Sequence, residues 1–541
     1  MGPIPRIMNR RGFIGLSIGL TGLLNWIYSC TPDRKINGKI IGASSLIGHL
    51  LKEKKFPAPS ANEQTKIIII GAGISGLSSA WYLNQKGIKD FLLLDLEGHT
   101  GGNSSYGKNS ISSYPWGAHY IPIPNNDLPE YINFLKNCNV ITGEDANGLP
   151  IYNETHLCFD PQERLYINGR WQDGLIPQFG VPDDDKKQIA SFLNAMDEFR
   201  YMRGSDGKDA FAIPVDNSSK DTSLIELDKL TMKKWMTNKG FTSEYLHWYV
   251  NYCCRDDFGT PHHLISAWAG IHYYASRKGK GNNAEHADVL TWPEGNGFFV
   301  EQLQKDLIAQ IKTNSLATKV LLKQDTAIVE YFDTKEDRLK AIKAEQCIIA
   351  VPQFVACRLL NDGERRTIVN DNLRYVPWMV ANILANKLDE RSGAPLSWDN
   401  VIHESDSLGY VNATHELLQQ DSPKKNLTYY LPLTNLTPAE ERKLAQAKDH
   451  SFWTEHIIND LKKIHPNIRE AIEEVNVMVW GHAMAQPLPG VVHGDIRNKL
   501  SASINNKIHF AHTDLAGVSI FEEAFYQGIT AAKKAIDSIK Q

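Results

Sequence analysis

The residues with the clearest chemistry form a glycine turn at the end of an isoleucine run, KIIIIGAGISG over residues 66–76. Gly71 permits a sharp strand-to-helix turn, and Gly73 lets the backbone approach a pyrophosphate. Gly76 lets the following helix pack closely on the strand. The pattern therefore predicts a strand–turn–helix unit that holds the phosphates of a dinucleotide.

The chain after this turn supports the prediction. Ile74 and Ser75 open the helix, whose N-terminal amides would face phosphate charge. The next apolar run, FLLLDLE, carries Asp95 about 20 residues after Gly76, at the spacing of an acid that accepts ribose hydroxyls. A glycine-rich turn without a ligand is the alternative interpretation.

Length and composition limit the class of protein. With 541 residues, the chain is too long for one core, and two or more domains are expected. The net charge is −4, and no basic stripe indicates nucleic-acid binding. The cysteines after Cys30 show no C-x-x-C spacing, and His262–His263 has no accompanying ligand pattern, so no metal site is predicted.

Residues 1–30 are predicted to be a targeting segment. Arg10 and Arg11 precede an apolar, glycine-rich run, and residues 9–14 resemble a bacterial twin-arginine signal. That resemblance implies export of a folded, cofactor-loaded protein to the periplasm or cell envelope. A simple N-terminal anchor helix is the alternative. Cys30 closes the run in a sequence similar to a lipoprotein box, which would give a lipid anchor.

Strand and helix patterns of the nucleotide-binding type recur at the start, middle and end of the chain. We therefore predict a discontinuous α/β fold, in which a Rossmann-like domain is interrupted by an inserted mixed α+β domain. Asn168-Gly169 predicts a type I′ hairpin within the insert. The predicted segments are 31–65 for a tether, 66–155, 290–352 and 490–541 for the nucleotide-binding domain, and 156–289 and 353–489 for the substrate domain.

Four blocks of sequence resemble FAD-dependent oxidoreductases that include flavin amine oxidases, protoporphyrinogen oxidase and phytoene desaturases. The first is the glycine turn together with Asp95. The second is Gly101-Gly102, where Asn103 replaces the arginine that usually meets the pyrophosphate. The resemblance implies FAD as the cofactor of the Rossmann-like domain.

The other two blocks imply further contacts with FAD. The run ATKVLLK, followed by AEQCIIAVP, is similar to the strands at the adenine end and implies a backbone contact from Val320. The closing block IHFAHTDLAGVSIFEEAFYQG implies that Asp514 meets the ribityl–phosphate side. Amides near Ser519 and Ile520 would lie under the flavin.

Two more segments resemble the parts of the family that pass beside the flavin. By that likeness His119, in WGAHYIPIP, and Trp480 and His482, in VMVWGHAMA, are the candidate catalytic residues. A structural histidine and ordinary core packing of the tryptophan are the alternatives. Many amine oxidases carry a lysine near flavin N5, but this region of the present chain has Val380 instead.

The resemblance implies an oxidoreductase acting on a small molecule, with a polyamine-like amine favoured and the electron acceptor unknown. Asp256 and Asp257 could hold an ammonium group, although a structural pair with an arginine is the favoured interpretation. The alternative activity is a desaturase, isomerase or protoporphyrinogen-type oxidase acting on an apolar conjugated substrate. A non-catalytic binding protein is the third hypothesis.

Overall fold

The structure is a computed structural model, and it describes residues 35–53, 56–60, 62–417 and 422–540. The predicted targeting segment, including Cys30, lies outside these residues. In the described part of the chain, no helix is long and apolar enough to cross a membrane.

Strands from widely separated parts of the chain combine into two main sheets and three small ones. In chain order the strands are β1 Ile40–Gly42, β2 Asn62–Ile70, β3 Phe91–Leu94, β4 Tyr106–Lys108, β5 Ser113–Pro115, β6 Tyr120–Pro122, β7 Ile141–Glu144, β8 Pro150–Tyr152, β9 Glu163–Ile167, β10 Arg170–Asp173, β11 Val289–Thr291, β12 Ile311–Lys312, β13 Ser315–Lys323, β14 Thr326–Asp333, β15 Arg338–Ile349, β16 Tyr375–Asn386, β17 Asp399–Ile402, β18 Tyr410–Asn412, β19 Lys424–Pro432, β20 Ile472–Ala485 and β21 Ile508–Phe510.

Helices occur throughout the described chain and vary from one turn to more than five. They are α1 Ser45–Glu53, α2 Ile74–Gln85, α3 Pro129–Asn137, α4 Asp183–Tyr201, α5 Thr222–Ile225, α6 Met232–Asn238, α7 Glu244–Phe258, α8 Ala267–Ala275, α9 Gly297–Gln304, α10 Gln353–Leu359, α11 Gly363–Asn372, α12 Pro438–Gln446, α13 His450–Leu461, α14 Ile468–Ala471, α15 Ile496–Ser501 and α16 Phe521–Lys540.

The first main sheet has the topology of a nucleotide-binding fold. Its order is β12-β3-β2-β15-β14-β13, and β21 pairs with β15 in parallel. The isoleucines of β2 at 67–69 are fully buried, as expected for a central parallel strand covered on both faces. Helices α2 and α16 pack side by side, and Ser79 Oγ donates to the Gly528 carbonyl at 2.8 Å. This confirms the predicted Rossmann-like α/β class.

The second main sheet is largely antiparallel, in the order β1-β20-β16-β19-β18-β17-β9-β10. Except for β1, its strands come from residues 163–173 and 375–485, inside the segments predicted for the substrate domain. Helices α4, α7 and α8 contribute to the apolar core that includes side chains of this sheet. The exact domain boundaries stay a prediction.

The predicted tether at 31–65 needs correction, because much of it is folded. Strand β1 pairs in parallel with β20, and β2 already begins at Asn62. Helix α1 places Ile47, Leu50 and Leu51 against a small apolar cluster of the nucleotide-binding fold. These residues recur at helical spacing, so the amphipathic pattern of the sequence explains why this segment forms a helix that packs on the fold.

Candidate active site

The glycine turn has the backbone geometry that phosphate binding requires. Gly71 has φ +98°, and an added Cβ would lie 2.6 Å from the Ala350 carbonyl oxygen. At Gly76 an added Cβ would lie only 1.8 Å from the Gly71 carbonyl oxygen, because α2 packs directly on the turn. A Cβ at Gly73 would meet no atom within 4 Å, and no side chain caps α2 there. The first amides of α2, at Ile74 and Ser75, therefore face open space.

Asp95 follows β3 beside this turn. Its Oδ2 accepts from the Ala72 N–H at 2.6 Å, and its Oδ1 accepts from the Glu97 N–H at 2.8 Å. Burial raises the pKa of Asp95 to about 6, although these amide hydrogen bonds oppose the rise. The carboxylate is thus fixed at the end of the strand, and its predicted role toward ribose stays a prediction.

Three other residues that are predicted to bind the cofactor belong to the same nucleotide-binding fold. Gly101 has a left-handed conformation and forms a β-bridge with Gly73, so the two glycine segments lie side by side. Gly102 also has positive φ, at +56°. Val320 is buried in β13, whose first residue, Ser315, donates its N–H to the Asp95 carbonyl at 2.7 Å.

Asp514 is buried near the start of α16. Its Oδ2 accepts from the Gln353 N–H at 2.8 Å and from the Tyr375 hydroxyl at 2.6 Å. Burial alone would raise the pKa of Asp514, but the His512 ring and these hydrogen bonds hold it below its usual value. Its other oxygen, Oδ1, is buried and lies 3.0 Å from Nδ1 of His512.

These observations fit FAD. The open space at Gly73 and the uncapped start of α2 are features that a phosphate group would satisfy. Gly71, Gly73 and the amides of Ile74 and Ser75 would hold the phosphates.

A cavity lies between the end of this nucleotide fold and the second sheet. Among the predicted residues, it brings together Asn103, His119, Trp480, Ser519 and Ile520. Its other lining residues are Gly117, Ala118, Tyr120, Pro122, Asp256, Asp257, Arg277, Asn296, Trp378, Val380, Tyr430, Ala483, Met484, Phe521 and Glu522.

Aromatic side chains of the second sheet form one wall of the cavity. Trp378 and Trp480 are opposite each other across β16 and β20, and Val380 is opposite Tyr430 across β16 and β19. The ring of Tyr430 lies 4.6 Å from that of His119. Burial lowers the pKa of His119 to about 4, so its imidazole is neutral at pH 7. An aromatic wall of this kind interacts favourably with a cation at the faces of its rings.

Two of these rings also hold the segment that carries His119. Trp480 Nε1 donates to the Trp116 carbonyl at 2.6 Å, and the Tyr430 hydroxyl donates to the Gly117 carbonyl at 3.0 Å. These two hydrogen bonds therefore link the position of the aromatic wall to the position of His119.

His482 is not among the residues that line this cavity. Its ring stacks on Phe354 at 4.5 Å, and burial lowers its pKa to about 3. The pairing of β16 and β20 shifts register between Val376 and Trp378, so simple alternation from Trp480 does not place His482 at the wall. This position gives no support to the predicted catalytic role of His482.

The two neighbouring aspartates have different partners. Asp257 forms an ion pair with Arg277 at 2.5 Å, which agrees with the favoured structural interpretation. Asp256 also lines the cavity, but no hydrogen bond or ion pair reaches its carboxylate within the described residues. Burial, followed by the charge of Asp257, raises the pKa of Asp256 to about 7. For Asp256, the expected pairing with an arginine is absent from the described structure.

Two further carboxylates add to the negative charge near Asp256. Asp399 of β17 and Glu163 of β9 are register partners in a parallel pair, so their side chains project from the same face. The Tyr252 hydroxyl donates to Asp399 Oδ2 at 3.2 Å. Burial raises the pKa of both acids, and for Asp399 the charges of Asp256 and Glu163 add to the rise. No local pattern in the sequence indicates that these two carboxylates lie together.

The chain matches the model of the flavin-containing amine oxidoreductase family over residues 74–536. It belongs to this family, whose members are FAD-dependent oxidoreductases. This confirms the predicted enzyme class and cofactor. Comparison with curated protein sequences gave no match.

Solved structures share the fold at low sequence identity. Wild-type putrescine oxidase bound to putrescine has 15% identity and a TM-score of 0.61, with 89% of this chain and 100% of that chain covered. Cyclohexylamine oxidase from Brevibacterium oxydans IH-35A has 14% identity and a TM-score of 0.61, with 88% and 100% covered. A fatty acid isomerase from P. acnes that produces CLA has 13% identity and a TM-score of 0.59, with 87% and 98% covered.

Proposed function

We propose that the protein oxidises an amine, and that its favoured substrate is polyamine-like, with more than one ammonium group. When bound, the flavin supplies the chemistry by accepting a hydride at N5 from the carbon next to the amine nitrogen. The observation that carries the proposal is Asp256, a carboxylate that lines the cavity and has no ion pair with a described residue. The charge of Arg277 lowers the pKa of Asp256, but burial and the charge of Asp257 outweigh it.

Charge compensation supports an amine rather than a neutral substrate. A buried carboxylate is costly unless a cation accompanies it. Arg277 is committed to Asp257, whereas Asp256, Asp399 and Glu163 have no ion pair with a described residue. An ammonium group near Asp256 would provide the missing charge, and a second one would do so near Asp399.

The same carboxylate could prepare the amine for oxidation. An amine gives up hydride readily only as the neutral base, so the bound ammonium must first lose a proton. With a pKa raised to about 7 by burial, Asp256 is suited to accept that proton near neutral pH. His119, whose pKa burial lowers to about 4, is a weaker base and is better suited to shape the wall.

The test is the visible spectrum of the purified protein during anaerobic addition of monoamines, diamines and polyamines. We expect a flavin spectrum that bleaches with amines, with diamines or polyamines effective at the lowest concentration. A flavin that no amine bleaches, but that a conjugated lipid or tetrapyrrole does, would overturn the proposal in favour of the alternative activity.

A matched pair of variants tests whether the amine concentration needed for bleaching depends on Asp256. Asp256→Asn should bind flavin normally but need at least tenfold more amine for half-maximal bleaching, because it lacks the charge that compensates the ammonium. An unchanged amine requirement in Asp256→Asn would argue against this role. Asp184→Asn, at an exposed carboxylate of α4, is the control and should behave as wild type.

We also propose that electrons leave to an acceptor other than oxygen and that the enzyme works in the cell envelope. Val380 lines the cavity wall, and the described lining contains no lysine. Slow reoxidation of the flavin in air, with fast reoxidation by a quinone or dye, would support an acceptor other than oxygen.

The location in the cell envelope has its own test. Conversion of Arg10 and Arg11 to lysine should leave the protein unexported in a fractionation experiment, and Cys30→Ser tests the lipid anchor.

A further inference from the structure

Cys158, His415 and Glu416 converge at a point that does not line the cavity. One ligand atom of each residue lies within 4.8 Å of those of the other two. Cys158 precedes β9, whereas His415 and Glu416 follow β18, so two separate segments of the chain meet here. Cys158 and His415 are both buried, with 6% and 5% of their surfaces exposed.

Neighbouring groups orient these side chains. The Thr291 hydroxyl donates to Glu416 Oε1 at 2.5 Å, and His415 Nε2 lies 2.9 Å from the Phe159 carbonyl, to which an N–H there would donate. Glu416 Oε2 is buried and has no hydrogen-bond partner in the described chain. Metal-binding histidines and carboxylates are commonly held in this way by a carbonyl or hydroxyl behind them.

We propose that Cys158, His415 and Glu416 bind a divalent transition metal, with Zn²⁺ the best match. A thiolate, an imidazole and a carboxylate are the three ligand types that zinc takes in proteins. The thiolate and the carboxylate together carry two negative charges, which a divalent cation neutralises in a buried setting. Hard cations such as Mg²⁺ and Ca²⁺ are disfavoured because they prefer oxygen ligands.

A metal bound at this site would stabilise the wall of the substrate cavity. Thr291, which holds Glu416, ends β11, and β11 pairs with β6, which contains the cavity residues Tyr120 and Pro122. A metal at this point would connect the segment after β18 to the segment before β9 and brace β11 between them. Its role is structural, since none of its three ligands lines the cavity.

The first experiment measures zinc in the full-length flavoprotein after incubation with Zn²⁺ and passage over a chelating resin. We expect about one zinc per chain, and zinc K-edge X-ray absorption should show a sulfur ligand at about 2.3 Å. A wild-type protein that retains well under one equivalent, or zinc with only nitrogen and oxygen ligands, would overturn the proposal.

Variants localise the metal. Cys158→Ser and Glu416→Gln should lose the retained zinc, and Thr291→Val should weaken its binding about ten- to a hundredfold. Cys138→Ser, at another buried cysteine, should retain it. The flavin spectrum identifies variants that fold, and among these, zinc should raise the thermal unfolding midpoint of wild type and Cys138→Ser but not of Glu416→Gln. Equal zinc in Cys158→Ser and wild type would place the metal elsewhere.

Discussion

The glycine turn and the aromatic-walled cavity are both suited to binding a charged group, but they are built from different parts of the chain. In the turn, backbone amides of one short segment surround open space at Gly73, and no side chain caps α2. In the cavity, the charge comes from side-chain carboxylates, and Asp256 of α7 has no ion pair with a described residue. A binding site made of backbone amides tolerates almost no added atom. A binding site made of side chains can lose one charged group while the protein still folds.

The largest effect should come from adding one methyl group to the turn. In Gly76→Ala the new Cβ would lie 1.8 Å from the Gly71 carbonyl oxygen, so α2 must move away from the strand. We expect a protein that is poorly folded or lacks flavin, since overpacking of backbone against backbone costs about 1–3 kcal/mol or more. Thermal unfolding and flavin content are the measurements.

Gly73→Ala is the matched control for this prediction. Its Cβ would meet no protein atom within 4 Å, so the chain should fold with a nearly unchanged unfolding midpoint. The methyl group would, however, occupy the space that the phosphates need, and flavin content should fall. Normal flavin content in Gly73→Ala would show that the turn does not hold the phosphates as inferred.

The second largest effect should be a difference in stability between variants of Asp257 and of Asp256. Asp257→Asn removes the partner of Arg277, whose side chain is 16% exposed, and leaves a largely buried cation unpaired. The expected loss is about 3 kcal/mol in the free energy of unfolding. Asp256→Asn breaks no ion pair and should lose no stability, as measured by denaturant unfolding at pH 7. Equal losses would contradict the difference in pairing.

Local features of the fold could be predicted from the sequence because neighbouring residues decide them. The glycine turn depends on residues within a few positions of one another. The hairpin at Asn168-Gly169 is also confirmed, since both residues have positive φ, at 50° and 84°, and join β9 to β10. In each case the backbone conformation restricts the residue type directly.

Features that depend on distant partners could not be predicted. Asp399 and Glu163 come together through the parallel pairing of β17 with β9, and no local pattern marks either residue. Helix α1 has an amphipathic pattern in the sequence, but its partner surface includes Leu316 and Phe332, far along the chain. His482 does not line the cavity, and the register shift between β16 and β20 that bears on its position is not visible in the sequence.

The third effect is a pH dependence of stability that the variant Asp256→Asn assigns to the cavity. The pKa of Asp256 in the folded protein is raised to about 7 from 3.8, chiefly by burial, so the folded state binds the proton more tightly than the unfolded state. Stability should therefore fall as the pH rises from about 4 to about 7. Asp256→Asn removes this contribution, so it should gain stability relative to wild type at pH 8 but not at pH 4. A constant difference between the two proteins would show that the Asp256 carboxylate is not held in this environment.

The smallest effect should come from the indole of Trp480. In Trp480→Phe the aromatic wall persists, but the donor to the Trp116 carbonyl is lost. One such hydrogen bond contributes about 1 kcal/mol, so the unfolding midpoint should drop by only a few degrees. Because that bond also fixes the segment carrying His119, anaerobic flavin reduction by an amine should slow more than substrate affinity weakens. If affinity and rate both stay at wild-type values, the wall acts through ring packing alone, and the cavity depends even more on its carboxylates.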